Sequence, residues 1–236
     1  MITDNKINMR QLFITNKNYS SWSLRPWVLM RELDIPFVER LEAFSGQGRS
    51  DFERFSPSGK VPCLIDGDTV VWDSLGITEY LTEQNPRVWP ADAAARTWAR
   101  CAAAEMHSGF HALRERCTMN CGVRVKYAAL PADLQKDLAR LDGLWTEGIS
   151  RFGGPYLAGP AFTAVDAFFA PVAFRVQTYS LDLAPTSRLY VQRLLELPAM
   201  QDWYASALTE TGRHEKYEQI TKDAGIWLND YRAIVS

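Results

Sequence analysis

Residues 61–74 read VPCLIDGDTVVWDS. Two short runs rich in β-branched and apolar residues, VPCLID and TVVWD, are split by Gly67 and Asp68, which is hairpin turn chemistry. Pro62 falls at the start of the first run, where a sheet tolerates a missing N–H. The stretch predicts two antiparallel strands. A helix from Ser74 to Gln84 follows, ended by Asn85-Pro86.

Upstream, Gln11–Thr15 (QLFIT) is a short apolar run suited to a strand. Ser23–Leu33 reads as a helix with Pro26 in its first turn, where a lost N–H costs little. Phe37–Phe44 alternates as a second strand, and a polar Gly/Ser-rich loop with one helical turn at Asp51–Phe55 leads back to the hairpin. The order strand, helix, strand, loop, strand, strand, helix describes a mixed sheet with helices on both faces. Downstream of a proline-bearing linker, NPRVWPAD at 85–92, the pattern is helical almost throughout. Helices are predicted over 96–116, 133–151, 166–179, 188–195 and 198–208 from apolar spacing.

The 236 residues are 47% hydrophobic and 23% charged, which excludes a disordered or collagenous chain. With 26 basic against 28 acidic residues, nothing marks a nucleic-acid or anionic-membrane partner, and neither is expected. The four cysteines, Cys63, Cys101, Cys117 and Cys121, form no CxxC pair and read as reduced packing thiols. MITDNKINMR lacks the apolar core of a secretory leader, and no run approaches the roughly 20 residues of a membrane span. A cytoplasmic location is the expectation.

Three features can carry chemistry. Asn18-Tyr19-Ser20-Ser21-Trp22-Ser23 places three hydroxyls between a strand and a helix N-terminus, where α/β sheets bind ligands and where unpaired N–H groups favour an anion. Serine is also a preferred N-cap, and on this segment alone both readings stand. Lys60-Val61-Pro62 opens a strand. A cis Val61–Pro62 bond turns the Val61 backbone outward to pair with an extended peptide, whereas a trans bond makes it an ordinary strand start. Asp73-Ser74 begins a helix, either as an N-cap pair or as a cradle for an ammonium and a carboxylate. His107 and His111 are four apart in a predicted helix, but no third ligand accompanies them, and no metal is expected.

Taken together, serine after strand one, Val-Pro at a strand start and acid-Ser at a helix start resemble the pattern of the cytosolic glutathione transferases. Ser20-Ser21-Trp22-Ser23 is similar to the Ser-Ser-Cys-Ser run of the zeta-like and bacterial members, with Trp22 in place of the cysteine. Asp73 stands where Glu or Gln is commoner, and Thr163 with Asp166 matches the capping box of the family's helical domain. The resemblance spans the whole chain. It implies a thioredoxin-like glutathione-binding domain over residues 10–86 and an all-helical domain over 92–236 that contributes the electrophile site.

It further implies glutathione as co-substrate, a homodimer, and Ser20 as the hydroxyl facing the sulfur, with Ser21 in reserve. Val61 and Pro62 would hold the cysteinyl unit, Lys60 the glycyl carboxylate, Asp73 the γ-glutamyl ammonium and Ser74 its carboxylate. Trp22, Met106, Phe110, His111, Phe174 and Arg175 would wall the electrophile site, Arg175 matching an arginine that zeta-like members use for organic acids.

The chemistry is specific in energy. A thiol with pKa about 8.5 is only about 3% thiolate at pH 7. Lowering it by about two units requires about 2.7 kcal/mol of preferential stabilisation of the anion, from a donated hydroxyl and a helix N-terminus. The expected activity is transfer of glutathione to a small hydrophobic or unsaturated electrophile. A glutathione-dependent isomerase of the maleylacetoacetate type and a noncatalytic interaction module on the same fold are the alternatives. A thiol–disulfide reductase would need a cysteine where Ser20, Ser21 and Ser23 stand.

Overall fold

The structure is a computed structural model that describes residues 9–43, 51–127 and 129–232. The first part holds β1 (Gln11–Thr15), α1 (Ser21–Glu32), β2 (Val38–Glu42), β3 (Cys63–Asp66), β4 (Thr69–Trp72) and α2 (Ser74–Thr82). Strand order is β2-β1-β3-β4, with β1 parallel to β2 and antiparallel to β3. This is the mixed four-stranded sheet expected from the hairpin outward. Strand β1 alternates as its sequence demands, burying Leu12 and Ile14. The predicted second strand is shorter than Phe37–Phe44, and Phe44 lies outside the described residues. Helix α1 starts two residues earlier than predicted. Pro26 therefore sits in its second turn and withdraws the N–H that would have bonded the Trp22 carbonyl.

The second part is helical: α3 (Ala93–Ser108), α4 (His111–Arg116), α5 (Ala132–Phe152), α6 (Ala164–Tyr179), α7 (Pro185–Glu196), α8 (Pro198–Thr209) and α9 (Glu215–Asp223). It also contains two strands that the helical reading lacked, β5 (Val123–Tyr127) and β6 (Gly225–Asp230), paired antiparallel. The predicted single helix over 96–116 is two. Phe110 takes a left-handed backbone at φ 53°, and a side chain at Gly109 would press its Cβ to 2.8 Å from the Glu105 carbonyl oxygen, so the chain turns there.

Helix α6 is buried on nearly every face and packs against α1, α3 and α7. Its start carries the expected capping box: Asp166 accepts the Thr163 N–H at 2.9 Å and also the Leu157 N–H and the Tyr190 hydroxyl. The α1–α6 contact seats the helical part on the sheet and brings the N-terminal end of α1 beside α3 and α4.

Candidate functional site

Strand register gathers the three sequence features. Phe13 pairs with Cys63, and Cys63 with Trp72. The residues just beyond these pairs, the turn 16–20, Lys60–Pro62 and Asp73-Ser74, therefore emerge at one end of the sheet. The Val61–Pro62 bond is cis. Ser20, Ser21, Trp22, Lys60 and Val61 all border one cavity of about 920 Å³.

Ser20 is the N-cap residue of α1. Its backbone N–H bonds the Asn16 carbonyl at 2.9 Å, and its hydroxyl donates to Ser23 Oγ at 2.7 Å. Ser23 is wholly buried, so a buried hydroxyl stands directly behind the half-buried one. Ser21 borders both the large cavity and a second one of about 420 Å³. The adjacent phenol, Tyr19, is committed elsewhere: it donates to Glu218 at 2.7 Å, and burial with that carboxylate pushes its pKa well above the usual range.

Asp73 caps α2, its carboxylate accepting the Leu75 N–H at 2.8 Å. Its backbone φ of 71° is a left-handed conformation that a non-glycine residue holds only at a cost, the kind of strain found at ligand clamps. Behind it Ser74 is buried and its Oγ has no hydrogen-bond partner among the described residues. An unpaired buried hydroxyl costs roughly 1–3 kcal/mol, which a ligand carboxylate at this helix N-terminus would relieve. His107 of α3 reaches across to place Nε2 3.7 Å from Asp73 Oδ1. Burial lowers the His107 pKa, and Asp73 opposes this.

Cations crowd the other side. The Arg25 guanidinium lies 4.1 Å from the Trp22 ring centroid on a fully buried side chain, and Arg114 lies 4.8 Å from the same ring. Burial, then Arg114 and Arg175, push the Arg25 pKa down to about 9. Arg175 is buried too. One Nη1 donates to the Cys117 carbonyl, while its Nε and two nitrogens of Arg25 have no partner among the described residues. None of the three arginines belongs to an ion pair among the described residues. Arg114, Arg175 and Lys216 line the smaller cavity with a single acid, Glu115.

The remaining residues selected from sequence are placed differently. Met106 and Phe174 are core residues, Phe174 stacked on Tyr204. Phe110 packs on Phe169, and His111 is exposed at the start of α4. The break at Gly109-Phe110 explains the placement of Phe110 and His111, since helical spacing no longer relates the residues on its two sides. It also separates His107 from His111, and no group of three or more metal-binding side chains occurs among the described residues. Sequence reading missed Arg114, which no motif marks, and the whole far wall of the large cavity, Thr209–His214 and Tyr217. Burial raises the Cys63 thiol to about 11 and Cys117 to about 12, which leaves neither suited to thiol exchange.

Comparison with known proteins agrees with the fold. Residues 19–84 match the model of the glutathione S-transferase N-terminal domain, and residues 124–206 that of the C-terminal domain. A probable maleylacetoacetate isomerase of Caenorhabditis elegans is 25% identical over 198 residues, 81% of this chain and 91% of the relative. Glutathione S-transferase Z2 of Arabidopsis thaliana is 27% identical over 202 residues, 79% and 89% of the two chains. A glutathione transferase homolog from Burkholderia GL BGR1, solved with bound glutathione, superposes with a TM-score of 0.63 at 22% identity, covering 84% of this chain and 97% of that one. With both halves matched in order, the chain belongs to the glutathione S-transferase family.

Proposed function

We propose that this chain binds glutathione at the β1–α1 end of the sheet, holds its sulfur as thiolate through the Ser20 hydroxyl, and adds it to an electrophile that carries a carboxylate. In this reading residues 10–86 grip the tripeptide and residues 92–236 receive the second substrate, in a homodimer. The observation that carries it is the pair of hydroxyls, Ser20 on the large cavity with buried Ser23 bonded behind it, at the sheet end from which the Asp73-Ser74 turn also emerges.

When sulfur enters, the Ser20 proton turns to it, and Ser23 donates to the Ser20 oxygen in its place. A hydroxyl that accepts a hydrogen bond is a better donor, and a charge-assisted bond is worth about twice a neutral one. Ser20 thus remains a hydroxyl throughout, and the thiol proton leaves to water. In this reading Val61 and exposed Lys60, both on the large cavity, take the cysteinyl unit and the glycyl carboxylate, and Asp73 with Ser74, outside that cavity's lining but at the same end of the sheet, take the γ-glutamyl end.

The choice of an acidic electrophile rests on Arg114, Arg175 and Lys216 around the smaller cavity. Buried guanidinium groups without counterions are costly, and an incoming carboxylate removes that cost. This favours the isomerase-like alternative over a neutral hydrophobic substrate, in keeping with the name of the worm relative.

The test is Ser20→Ala, read by the ultraviolet absorbance of bound thiolate against pH and by turnover. The variant is expected to carry about tenfold less thiolate at neutral pH, the effect of about 1.4 kcal/mol, with glutathione Kd within about twofold. If Ser21→Ala does this instead, the donor is the neighbouring hydroxyl; if neither does, the hydroxyl reading fails. In the same assay, chlorodinitrobenzoate is expected to exceed neutral chlorodinitrobenzene in kcat/KM, and Arg114→Met to abolish the preference. No heat on mixing with millimolar glutathione would return the chain to the interaction-module alternative.

A further inference from the structure

Tyr19 precedes the proposed sulfur-facing serine, and its hydroxyl is held by the C-terminal segment. Glu218 of α9 accepts that hydroxyl. Arg232, almost wholly buried, donates through Nη1 to Tyr19 Oη at 3.0 Å and to Glu218 Oε1 at 2.5 Å. Its Nη2 donates to Glu218 Oε2 at 3.0 Å and to Asp230 at 2.7 Å. Asn120 closes the cluster from the other side, donating to Glu218 at 2.9 Å and accepting from Arg232 at 3.3 Å. One buried cation is thus met by two carboxylates, a phenol and an amide, which is the arrangement in which a buried charge is tolerated.

The cluster sits at one end of a segment that also packs the rings of His214 and Tyr217 on Tyr19, at 6.2 and 5.9 Å between centroids. Thr209–His214 and Tyr217 wall the large cavity opposite Ser20, and Lys216, Tyr217 and Ile220 wall the smaller one opposite Arg175. Only Thr221 of α9 is buried. Where the segment leaves α8 it is tied to the same turn, through the Lys17 N–H to Glu210 at 3.0 Å and Asn16 Nδ2 to the Gly212 carbonyl at 3.1 Å. Both ends of the wall are therefore fixed on residues 16–19.

We infer that Arg232 is a positioning residue for the transfer reaction: acting through Glu218 and Tyr19, it holds the 209–220 wall at a set distance from Ser20 and so defines where the electrophile stands. The inference rests on the reading of the site given above. Lys216, Tyr217 and Ile220 of this wall border the smaller cavity proposed for the electrophile, while Thr209–His214 only faces the large cavity whose proposed glutathione anchors, Lys60 and Val61, are on the sheet side, so loosening the wall degrades the second substrate's seat far more than tripeptide binding.

The experiment compares Arg232→Met, Arg232→Lys and Tyr19→Phe with the unaltered chain, using glutathione and chlorodinitrobenzoate. Arg232→Met is expected to raise KM for the electrophile about tenfold, with glutathione Kd within about twofold. Lysine, which keeps the charge but not the fork, is expected to recover part of the loss. Should Arg232→Met not fold, Tyr19→Phe removes only the bridging hydroxyl, and it is expected to raise the same KM about threefold. An electrophile KM within twofold of the original in folded Arg232→Met, or an unchanged KM in Tyr19→Phe when the methionine variant does not fold, overturns the proposal. Equal losses in glutathione Kd and electrophile KM also overturn it, since they mark a general loss of structure. Failure of the serine reading shows separately, as an unaltered thiolate titration in Ser20→Ala.

Discussion

Replacing Asp166 by alanine should destabilise the whole molecule, and the structure supplies the size. The Asp166 carboxylate is buried at the start of α6 and accepts from the Leu157 N–H at 3.1 Å, the Thr163 N–H at 2.9 Å and the Tyr190 hydroxyl at 2.9 Å, with a longer bond from the Thr163 hydroxyl at 3.4 Å. Alanine leaves the three short-bonded donors in a dry interior without that acceptor, while the Thr163 hydroxyl is free to rotate. Each unmade bond costs about 1–3 kcal/mol; water entering the vacated space and the relief of a buried charge return part of that. The expected loss is about 3–5 kcal/mol, a large share of a typical domain's stability of about 5–15 kcal/mol. Asparagine keeps one acceptor oxygen but turns an amide donor toward other donors, and should lie between alanine and the original. Urea unfolding followed by circular dichroism and tryptophan emission gives the values, with similar slopes required for the comparison. A loss below about 1 kcal/mol for Asp166→Ala would refute the account, because it would mean that these donors find other partners at little cost.

Two further predictions follow from packing and charge at the α3 side of the molecule. Burial holds the His107 imidazole below its ordinary 6.5, Asp73 opposes this, and Arg25 and Arg114 add to the lowering, so His107 is neutral at pH 7. As pH falls it gains a proton 3.7 Å from Asp73 and competes with the ligand's ammonium, so glutathione affinity should weaken on acidification. Calorimetric Kd values between about pH 5 and pH 7.5 should show this slope in the original and a flat profile in His107→Gln; the same slope in both would exclude His107 as its source. Gly148 in α5 has no room for a methyl group, since its Cβ would meet Trp98 at 2.3 Å and the Leu157 carbonyl at 2.6 Å. Gly148→Ala should therefore lower Tm despite gaining about 1 kcal/mol of helix propensity, and a rise in Tm would show that Trp98 can move aside.

Local chemistry made the sheet and one side of the site legible in sequence. The hairpin turn at Gly67-Asp68, the alternation in Gln11–Thr15 and the Thr163/Asp166 capping box each act within a few residues, and each has its structural counterpart. What stayed hidden depends on distant partners. Strand β5 carries period-two valines at 123 and 125, but its partner β6 begins about a hundred residues later, and neither strand has a turn joining it to the other. The far wall is polar and aperiodic, and it is placed by Arg232, Glu210 and Gly212 rather than by an apolar stripe. Met106, Phe110 and His111 share a wall only if 96–116 is one continuous helix. The left-handed Phe110 redirects that surface, so Arg114 reaches Trp22 while Phe110 turns to the core.

The anchoring of residues 209–232 on residues 16–19 has a consequence for biogenesis. The turn bearing Ser20 is among the earliest described segments to leave the ribosome, and Arg232 is the last described residue to do so. On the proposed reading, a polypeptide shortened before Arg232 would keep the residues assigned to the tripeptide but lose the guanidinium that fixes the opposing wall, and would bind without aligning the second reactant.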